Sequence, residues 1–109
     1  MHSLEELERI NQLLLCYGEL LTPSQKKIME DYYVYNLSLS EISENHQISR
    51  SAVNDCLKKS LQKCEEYEKK LGFMKKNLVL KKKIVEWQKK QADAASILAD
   101  LERMIEDGI

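Results

Sequence analysis

The sequence has few residues that break helices and no pattern typical of strands. Among 109 residues there are three glycines and one proline, Pro23. No run of β-branched residues alternates with polar ones, as strands with one buried face require. Leu, Lys, Glu and Gln, which favour helices, dominate instead. The sequence therefore predicts an all-α protein, built as one small domain with an appendage or as one elongated domain.

Long apolar runs and a basic N-terminus are also lacking. The most apolar stretch, residues 13–21, is interrupted by Gly18 and Glu19. A transmembrane helix needs about 20 consecutive apolar residues, so this stretch does not predict a membrane span. The first ten residues are acidic, whereas a signal peptide begins with basic residues. We therefore expect a cytoplasmic protein.

Cysteine is scarce and catalytic motifs are missing. Cys56 and Cys64 would lie about 12 Å apart on one helix, too far for a disulfide, so we expect reduced thiols here and at Cys16. A catalytic dyad could be imagined from His46 and Cys16, or a metal site from these two with Cys56. No motif spacing supports either arrangement. No phosphate-binding glycine loop, HExxH motif or nucleophile elbow occurs. The sequence predicts a protein that is not an enzyme and has no metal or cofactor.

Capping residues divide the first 72 residues into four predicted helices. Thr22 and Ser38 each precede a Gln or Glu by three residues, which is the pattern of a capping box, and Ser49 is a further N-cap. The predicted helices span about residues 3–21, 23–35, a short stretch after Ser38, and 50–71. Their apolar spacing predicts that the buried side chains include Ile28, Tyr32, Tyr35, Ile42, Val53, Leu57, Cys64 and Leu71.

The stretch LSLSEISENHQISRSAVNDCLKK predicts a helix-turn-helix at residues 38–60. The first helix has the small Ser43 at its centre, where the second helix must pack closely. Ile48 would close the turn as an apolar plug, and Val53 and Leu57 would anchor the second helix. Gln47 stands where the tight turn needs a positive φ, at a cost of about 1 kcal/mol for a residue other than glycine.

From about residue 14 to residue 73 the chain resembles the YlxM family of small bacterial proteins. The matching stretches are YGELLTPSQKKIMEDYY, LSLSEISE, ISRSAVNDCLKK and YEKKLG, in that order. The resemblance implies a helix-turn-helix similar to region 4 of sigma factors. It also implies a regulatory part in the signal recognition particle pathway, since genes of the family lie beside those of the particle and its receptor.

A nucleic acid would meet the outward residues near the start of the second helix. Arg50 suits guanine, Asn54 suits adenine, and lysines suit phosphates, whereas Asp55 would repel the backbone. The candidate nucleic-acid contacts are Arg50, Ser51, Asn54, Lys58 and Lys59. Because the module has no net charge, the sequence leaves open a protein-interaction adaptor that contacts the particle's GTPase or its receptor. It also leaves open a transcriptional regulator of its own operon.

Two other features could bind RNA. Tyr32, Tyr33 and Tyr35 could stack on bases, although helical spacing favours a buried position for Tyr32 and Tyr35 and leaves Tyr33 exposed. The lysines of KKNLVLKKKI could bind phosphates, or they could be the solvated face of a coiled coil.

The last 37 residues predict one long helix with a coiled-coil seam. Eight positions from Leu80 to Ile105 alternate steps of four and three; seven of them are apolar, with Trp87 among them, and the eighth is Gln91. Residues 75–90 carry a net charge of +6 and residues 91–109 a net charge of −4. An isolated helix would expose its seam, so we expect a homodimer through residues 73–109. The two charged halves favour an antiparallel pair, with the acidic first helix as another partner for the lysines.

Overall fold

The computed structural model describes residues 2–108, which form six α-helices and contain no strand. The helices are α1 (Leu4–Tyr17), α2 (Pro23–Tyr33), α3 (Leu39–His46), α4 (Arg50–Leu71), α5 (Phe73–Lys89) and α6 (Ala94–Asp107). Two compact units meet in the chain between Gly72 and Phe73, so that α1 to α4 belong to the first unit and α5 and α6 to the second. The predicted all-α class is confirmed.

Hydroxyl side chains begin all four helices of the first unit. The oxygens of Ser3, Thr22, Ser38 and Ser49 each accept a hydrogen bond from a backbone N–H three residues later, at 2.9 to 3.2 Å. The side chains of Gln25 and Glu41, three residues after these caps, accept from the backbone N–H groups of Thr22 and Ser38. This completes the two predicted capping boxes. Each cap stabilises its helix by about 1 kcal/mol. These local signals therefore fix where the helices begin.

The ends of α1 and α2 differ from the predicted ones. α1 ends at Tyr17 and continues as a 3-10 turn, Gly18–Leu20. α2 ends at Tyr33, where the hydrogen-bond spacing changes. The N–H of Tyr35 donates to Glu30 O, five residues earlier, at 3.0 Å, and Asn36 then adopts a left-handed φ of 56°. Tyr35 thus leaves the helix and is 62% exposed, so its predicted burial is wrong.

The core of the first unit forms where α4 packs against the three preceding helices. Its buried apolar side chains are Ile10, Leu13, Tyr17, Leu21, Ile28, Met29, Ile42, Val53, Leu57 and Cys64. Tyr32 is only half-buried. Leu71 is 40% exposed, so its predicted burial is wrong; it lies in the last turn of α4, which extends beyond this core.

Polar contacts join α4 to α1 around this core. The guanidinium of Arg9 donates to both carboxylate oxygens of Glu65, at 3.1 and 2.5 Å. The hydroxyl of Tyr17 donates to Glu68 at 2.6 Å, and its ring stacks on Tyr67 with centroids 5.9 Å apart. These contacts therefore hold α1 against the C-terminal half of α4.

The second unit is a helical hairpin, so the prediction of one continuous helix over residues 73–107 is wrong. The N–H of Ala92 donates to Trp87 O at 2.9 Å and that of Gln91 to Gln88 O at 3.2 Å, while Gln91 has a φ of 50°. These bonds form a Schellman motif, which ends α5. Asp93 then accepts from the N–H of Ser96 at 2.8 Å and begins α6.

Opposite charges meet between the two helices of this hairpin. The indole N–H of Trp87 donates to Asp100 at 2.7 Å, and the ammonium of Lys83 lies 3.6 Å from the same carboxylate. The hydrogen bond from Trp87, with Lys83 and Arg103 nearby, holds the pKa of Asp100 below its ordinary value. Lys83 and Asp100 thus join the basic helix to the acidic one within the chain. Trp87 is buried, whereas Ile84, Leu98 and Ile105 of the predicted seam remain exposed.

Candidate nucleic-acid interface

The turn of the helix-turn-helix is held by three hydrogen bonds between its own residues. The N–H groups of Gln47 and Ile48 donate to Glu44 O and Ser43 O, at 3.3 and 3.1 Å. The hydroxyl of Ser43 donates to Ile48 O at 2.7 Å. Gln47 has the predicted positive φ, 56°, and Ile48 is 37% exposed, so the expected apolar plug is only partly buried. The direction in which α4 leaves the turn is therefore set mainly by backbone bonds and by Ser43.

A buried carboxylate joins α3 to α2 behind this turn. Asp31 is 4% exposed, and its carboxylate accepts from the Nε2 of His46 at 3.1 Å and from the ammonium of Lys27 at 3.0 Å. Burial raises the pKa of Asp31, but the hydrogen bonds from His46 and Lys27 lower it by more, so the net shift is downward. A charged Asp31 thus holds the end of α3 against α2.

His46, which the sequence could place near Cys16 or Cys56, is therefore a structural partner of Asp31. Cys56 and Cys16 are half-buried, Cys64 is buried, and all three are thiols. Among residues 2–108, no cluster of three or more His, Cys, Asp or Glu side chains is arranged as a metal site.

The second helix of the motif presents the predicted face to solvent. Val53, Leu57, Ser60 and Cys64 are buried and form the inner stripe of α4. The five candidate contacts are all exposed: Arg50, Ser51, Asn54, Lys58 and Lys59. By helical period, Ser51 and Lys58 lie opposite the buried stripe, with Arg50 and Asn54 on one side of them and Lys59 on the other. Ser51, Asn54 and Lys58 therefore share one face, and Arg50 and Lys59 lie at the two opposite edges of the outward half of α4.

Asp55, on the same face, changes the charge that this surface offers. Its carboxylate pairs with the ammonium of Lys59 at 3.0 Å, across one turn of α4. Within residues 2–108 no carboxylate lies at ion-pair distance from Arg50 or Lys58, which leaves their charges available. Both partners of the Asp55–Lys59 pair are largely exposed, and such pairs contribute only about 0.3–0.5 kcal/mol. A phosphate could therefore replace Asp55 as the partner of Lys59 at little cost.

The tyrosines at the end of α2 and just after it do not form a flat stacking surface. The rings of Tyr32 and Tyr33 meet edge to face, with centroids 4.9 Å apart. Tyr33 is half-buried rather than exposed, and Tyr35 lies apart from both, with the ammonium of Lys27 5.5 Å from its ring centroid. The exposed ring is therefore Tyr35, which sequence spacing had assigned to the core.

Comparison with known proteins bears on this geometry. Residues 4–104 match the family model of the YlxM / p13-like helix-turn-helix proteins, UPF0122. The chain belongs to this family. The resemblance to the YlxM family is thus confirmed, and with it the helix-turn-helix. The family is described by that motif and not by a reaction.

Several relatives match most of the chain. A UPF0122 protein of Bacillus licheniformis is 40% identical over 106 residues, 94% of this chain and 98% of the relative. The UPF0122 protein YlxM of Bacillus subtilis is 35% identical over 108 residues, again 94% and 98%. A UPF0122 protein of Malacoplasma penetrans is 45% identical over 69 residues, 63% of this chain and 64% of the relative. The first two matches include the C-terminal hairpin, so similarity to the family is not limited to the helix-turn-helix.

None of the helices is both long enough and apolar enough to cross a bilayer, within the part of the chain that the structure describes.

Proposed function

We propose that this protein is a non-enzymatic cytoplasmic regulator that binds nucleic acid through the exposed face of α4. The contacts would come from Arg50, Ser51, Asn54, Lys58 and Lys59. The observation that carries the proposal is the pair of exposed cations Arg50, the first residue of the second helix of the motif, and Lys58, about two turns later. Recognition residues of docked helix-turn-helix proteins occupy these positions. Family membership supports a place in the signal recognition particle pathway, and the ligand is DNA or the RNA of the particle.

The test is binding of labelled nucleic acid to the full chain over a range of salt concentrations. Two probes are compared, a random-sequence DNA duplex and a transcript of the signal recognition particle RNA. Arg50→Ala should weaken binding by about 1–3 kcal/mol, because it removes a bidentate donor. Lys58→Ala with Lys59→Ala should also reduce the salt dependence, by roughly one unit of slope for each phosphate that is no longer neutralised.

The matched control removes two lysines from the other end of the same helix. Lys69 and Lys70 are exposed in the last turn of α4, so Lys69→Ala with Lys70→Ala makes the same change in net charge. It should leave affinity and salt slope nearly unchanged. Equal losses from the two double variants would mean that total charge, and not the N-terminal face of α4, determines binding.

The second candidate function is an adaptor that contacts the particle's GTPase or its receptor without binding nucleic acid. Charge favours it, because residues 38–62 carry three basic and three acidic side chains, and Asp55 lies among the candidate contacts. Affinity for duplex DNA depends largely on the neutralisation of phosphates, so we expect a module without net charge to bind DNA weakly. Retention of a protein partner by a chain that binds neither probe at low salt would favour the adaptor.

We further propose that the C-terminal hairpin binds a second copy of itself. The pairing of Trp87 and Lys83 with Asp100 covers only part of the seam, and the exposed side chains include Leu98 and Ile105, the latter 81% exposed. The lysine-rich α5 of one copy complements the acidic α6 of the other. Sedimentation equilibrium should show a dimer that Leu98→Ser with Ile105→Ser dissociates. Leu15→Ser, at an exposed leucine of α1, is the control, and a wild-type monomer would contradict the proposal.

A further inference from the structure

A groove of about 500 Å³ lies on the first unit, where the N-terminus of α1, the C-terminus of α2 and the start of α3 meet. Its aromatic wall consists of His2, Tyr32 and Tyr33. The His2 ring lies 5.8 Å from that of Tyr32 and 5.5 Å from that of Tyr33, between centroids. Leu7 and Leu37 also line the groove. Three rings that contact one another at an open surface are not needed to fill the core, because none of them is fully buried.

One carboxylate lines this groove and a second lies beside it. Glu6 lies beside the aromatic wall, since its Oε2 is 3.4 Å from the Nδ1 of His2. Burial, Tyr32 and the charge of Glu6 together raise the pKa of the Tyr33 hydroxyl. Glu41 lines the groove at the start of α3, where one of its oxygens accepts from the N–H of Ser38. Apart from His2, the described lining residues include no basic side chain, and Glu41 and the neighbouring Glu6 supply negative charge.

We propose that this groove binds an arginine side chain presented by a partner protein. A guanidinium is attracted to aromatic faces and stacks on them, and it pairs with carboxylates through a fork of N–H donors. The groove combines aromatic rings with carboxylates, and Leu7 and Leu37 suit the apolar stem of a long cationic side chain. An anionic ligand such as a nucleic-acid phosphate would meet Glu6 and Glu41 instead. The occupant is thus a protein segment that bears arginine.

This surface is separate from the proposed nucleic-acid interface in both residues and charge. The proposal therefore does not depend on whether α4 binds nucleic acid. An arginine-binding groove on α1, α2 and α3, together with a cationic face on α4, would let one helix-turn-helix unit contact a basic protein segment and a nucleic acid together.

The probe is the blocked pentapeptide acetyl-Gly-Leu-Arg-Leu-Gly-amide, titrated into the ¹⁵N-labelled full chain and followed by NMR. Its control has citrulline in place of arginine, which keeps the planar shape and removes the charge. We expect saturable shifts centred on Tyr33, Leu37 and Glu41, and at least threefold weaker binding of the citrulline peptide. Tyr33→Leu should reduce affinity by about two- to fivefold, the range expected for a solvent-exposed cation–π contact. Glu6→Gln should reduce it by a similar factor, as expected for the loss of an exposed ion pair.

Two further variants separate this site from general charge effects and from the α4 face. Glu8→Gln removes the same charge on another side of α1 and should leave the affinity unchanged. Arg50→Ala should weaken nucleic-acid binding and leave peptide binding unaltered. Equal binding of the two peptides, or shifts that centre away from the groove, would overturn the proposal, as would an absence of saturable shifts. Unchanged affinity of a folded Glu6→Gln variant would do the same.

Discussion

Gln47 combines an ordinary side chain with a backbone conformation that favours glycine. Its φ of 56° and ψ of 44° lie in the left-handed region. This region costs a residue with a Cβ about 1–2 kcal/mol, because the Cβ approaches the following carbonyl oxygen. Glycine avoids that cost but loses about 0.5–1 kcal/mol more conformational freedom on folding. Since the side chain of Gln47 is exposed, Gln47→Gly should raise the free energy of unfolding by about 0.5–1 kcal/mol.

Urea unfolding followed by far-UV circular dichroism measures this change. The midpoint should rise while the slope of free energy against urea stays constant. Asn45→Gly is the matched control, because Asn45 is exposed and lies two residues earlier within α3. It should lower the free energy of unfolding by about 0.3 kcal/mol, since the backbone there is right-handed and glycine has a lower helix propensity than asparagine. If both variants moved the midpoint downward, the strain assigned to Gln47 would be absent.

The remaining predictions concern the side chains that stabilise the two units. Asp31→Asn should lower the free energy of unfolding at neutral pH by about 2 kcal/mol, because it removes the charge-assisted hydrogen bonds to His46 and Lys27. The folded-state pKa of Asp31 lies below its ordinary value of about 3.9, so this contribution is complete above that pH and is lost as pH falls through the folded-state pKa. Urea midpoints of the two proteins should therefore converge in acid, and a constant difference down to the lowest pH would contradict the assignment. Asp100→Ala should move the fluorescence of Trp87 to longer wavelength, because loss of the hydrogen bond that holds the indole against α6 lets water reach the ring, whereas Asp107→Ala should not. Met29→Ala should lower the free energy of unfolding by about 2–5 kcal/mol, since Met29 is fully buried, and Tyr35→Ala by less than about 0.5 kcal/mol. A large decrease in Tyr35→Ala would show that this ring packs more closely than its exposure indicates.

Local chemistry explains which features of the helix-turn-helix the sequence could predict. A capping box involves four consecutive residues, so Thr22 and Ser38 could be recognised from their neighbours alone. The left-handed conformation of Gln47 followed from the spacing of the motif. The outward face of α4 followed from the helical period, because buried Val53 and Leu57 determine which residues point away.

Features that depend on the end of a helix or on distant contacts could not be predicted. Tyr35 keeps the helical spacing of Tyr32 in the sequence, but the chain leaves α2 two residues before it. The coiled-coil rhythm continued across the turn between α5 and α6 because Gln91 and Ala94 happen to keep the spacing. Asp93 was the available signal, since it can cap a helix that begins at Ala94.

The candidate sites likewise could be predicted only where they depend on residues close together in the sequence. Asp55 and Lys59 are four residues apart on one helix, so their pairing could be predicted from the sequence. Only the structure shows that Arg50 and Lys58 have no ion-pair partner among the described residues. The groove at Tyr33 joins three segments that are distant in the sequence. No periodicity links His2 to Glu41, so the sequence offered only burial or base stacking for the tyrosines and did not predict the groove.

The most direct test of the proposed interface is crosslinking in cells that produce the protein, with recovery of protein and nucleic acid together. Peptides bearing a crosslinked nucleotide are then mapped by mass spectrometry. We expect such peptides to contain residues 50–59 of α4 and Arg50→Ala to reduce their yield. Crosslinks to protein alone, or nucleotide crosslinks confined to the lysines of α5, would contradict the assignment of α4 as the nucleic-acid interface.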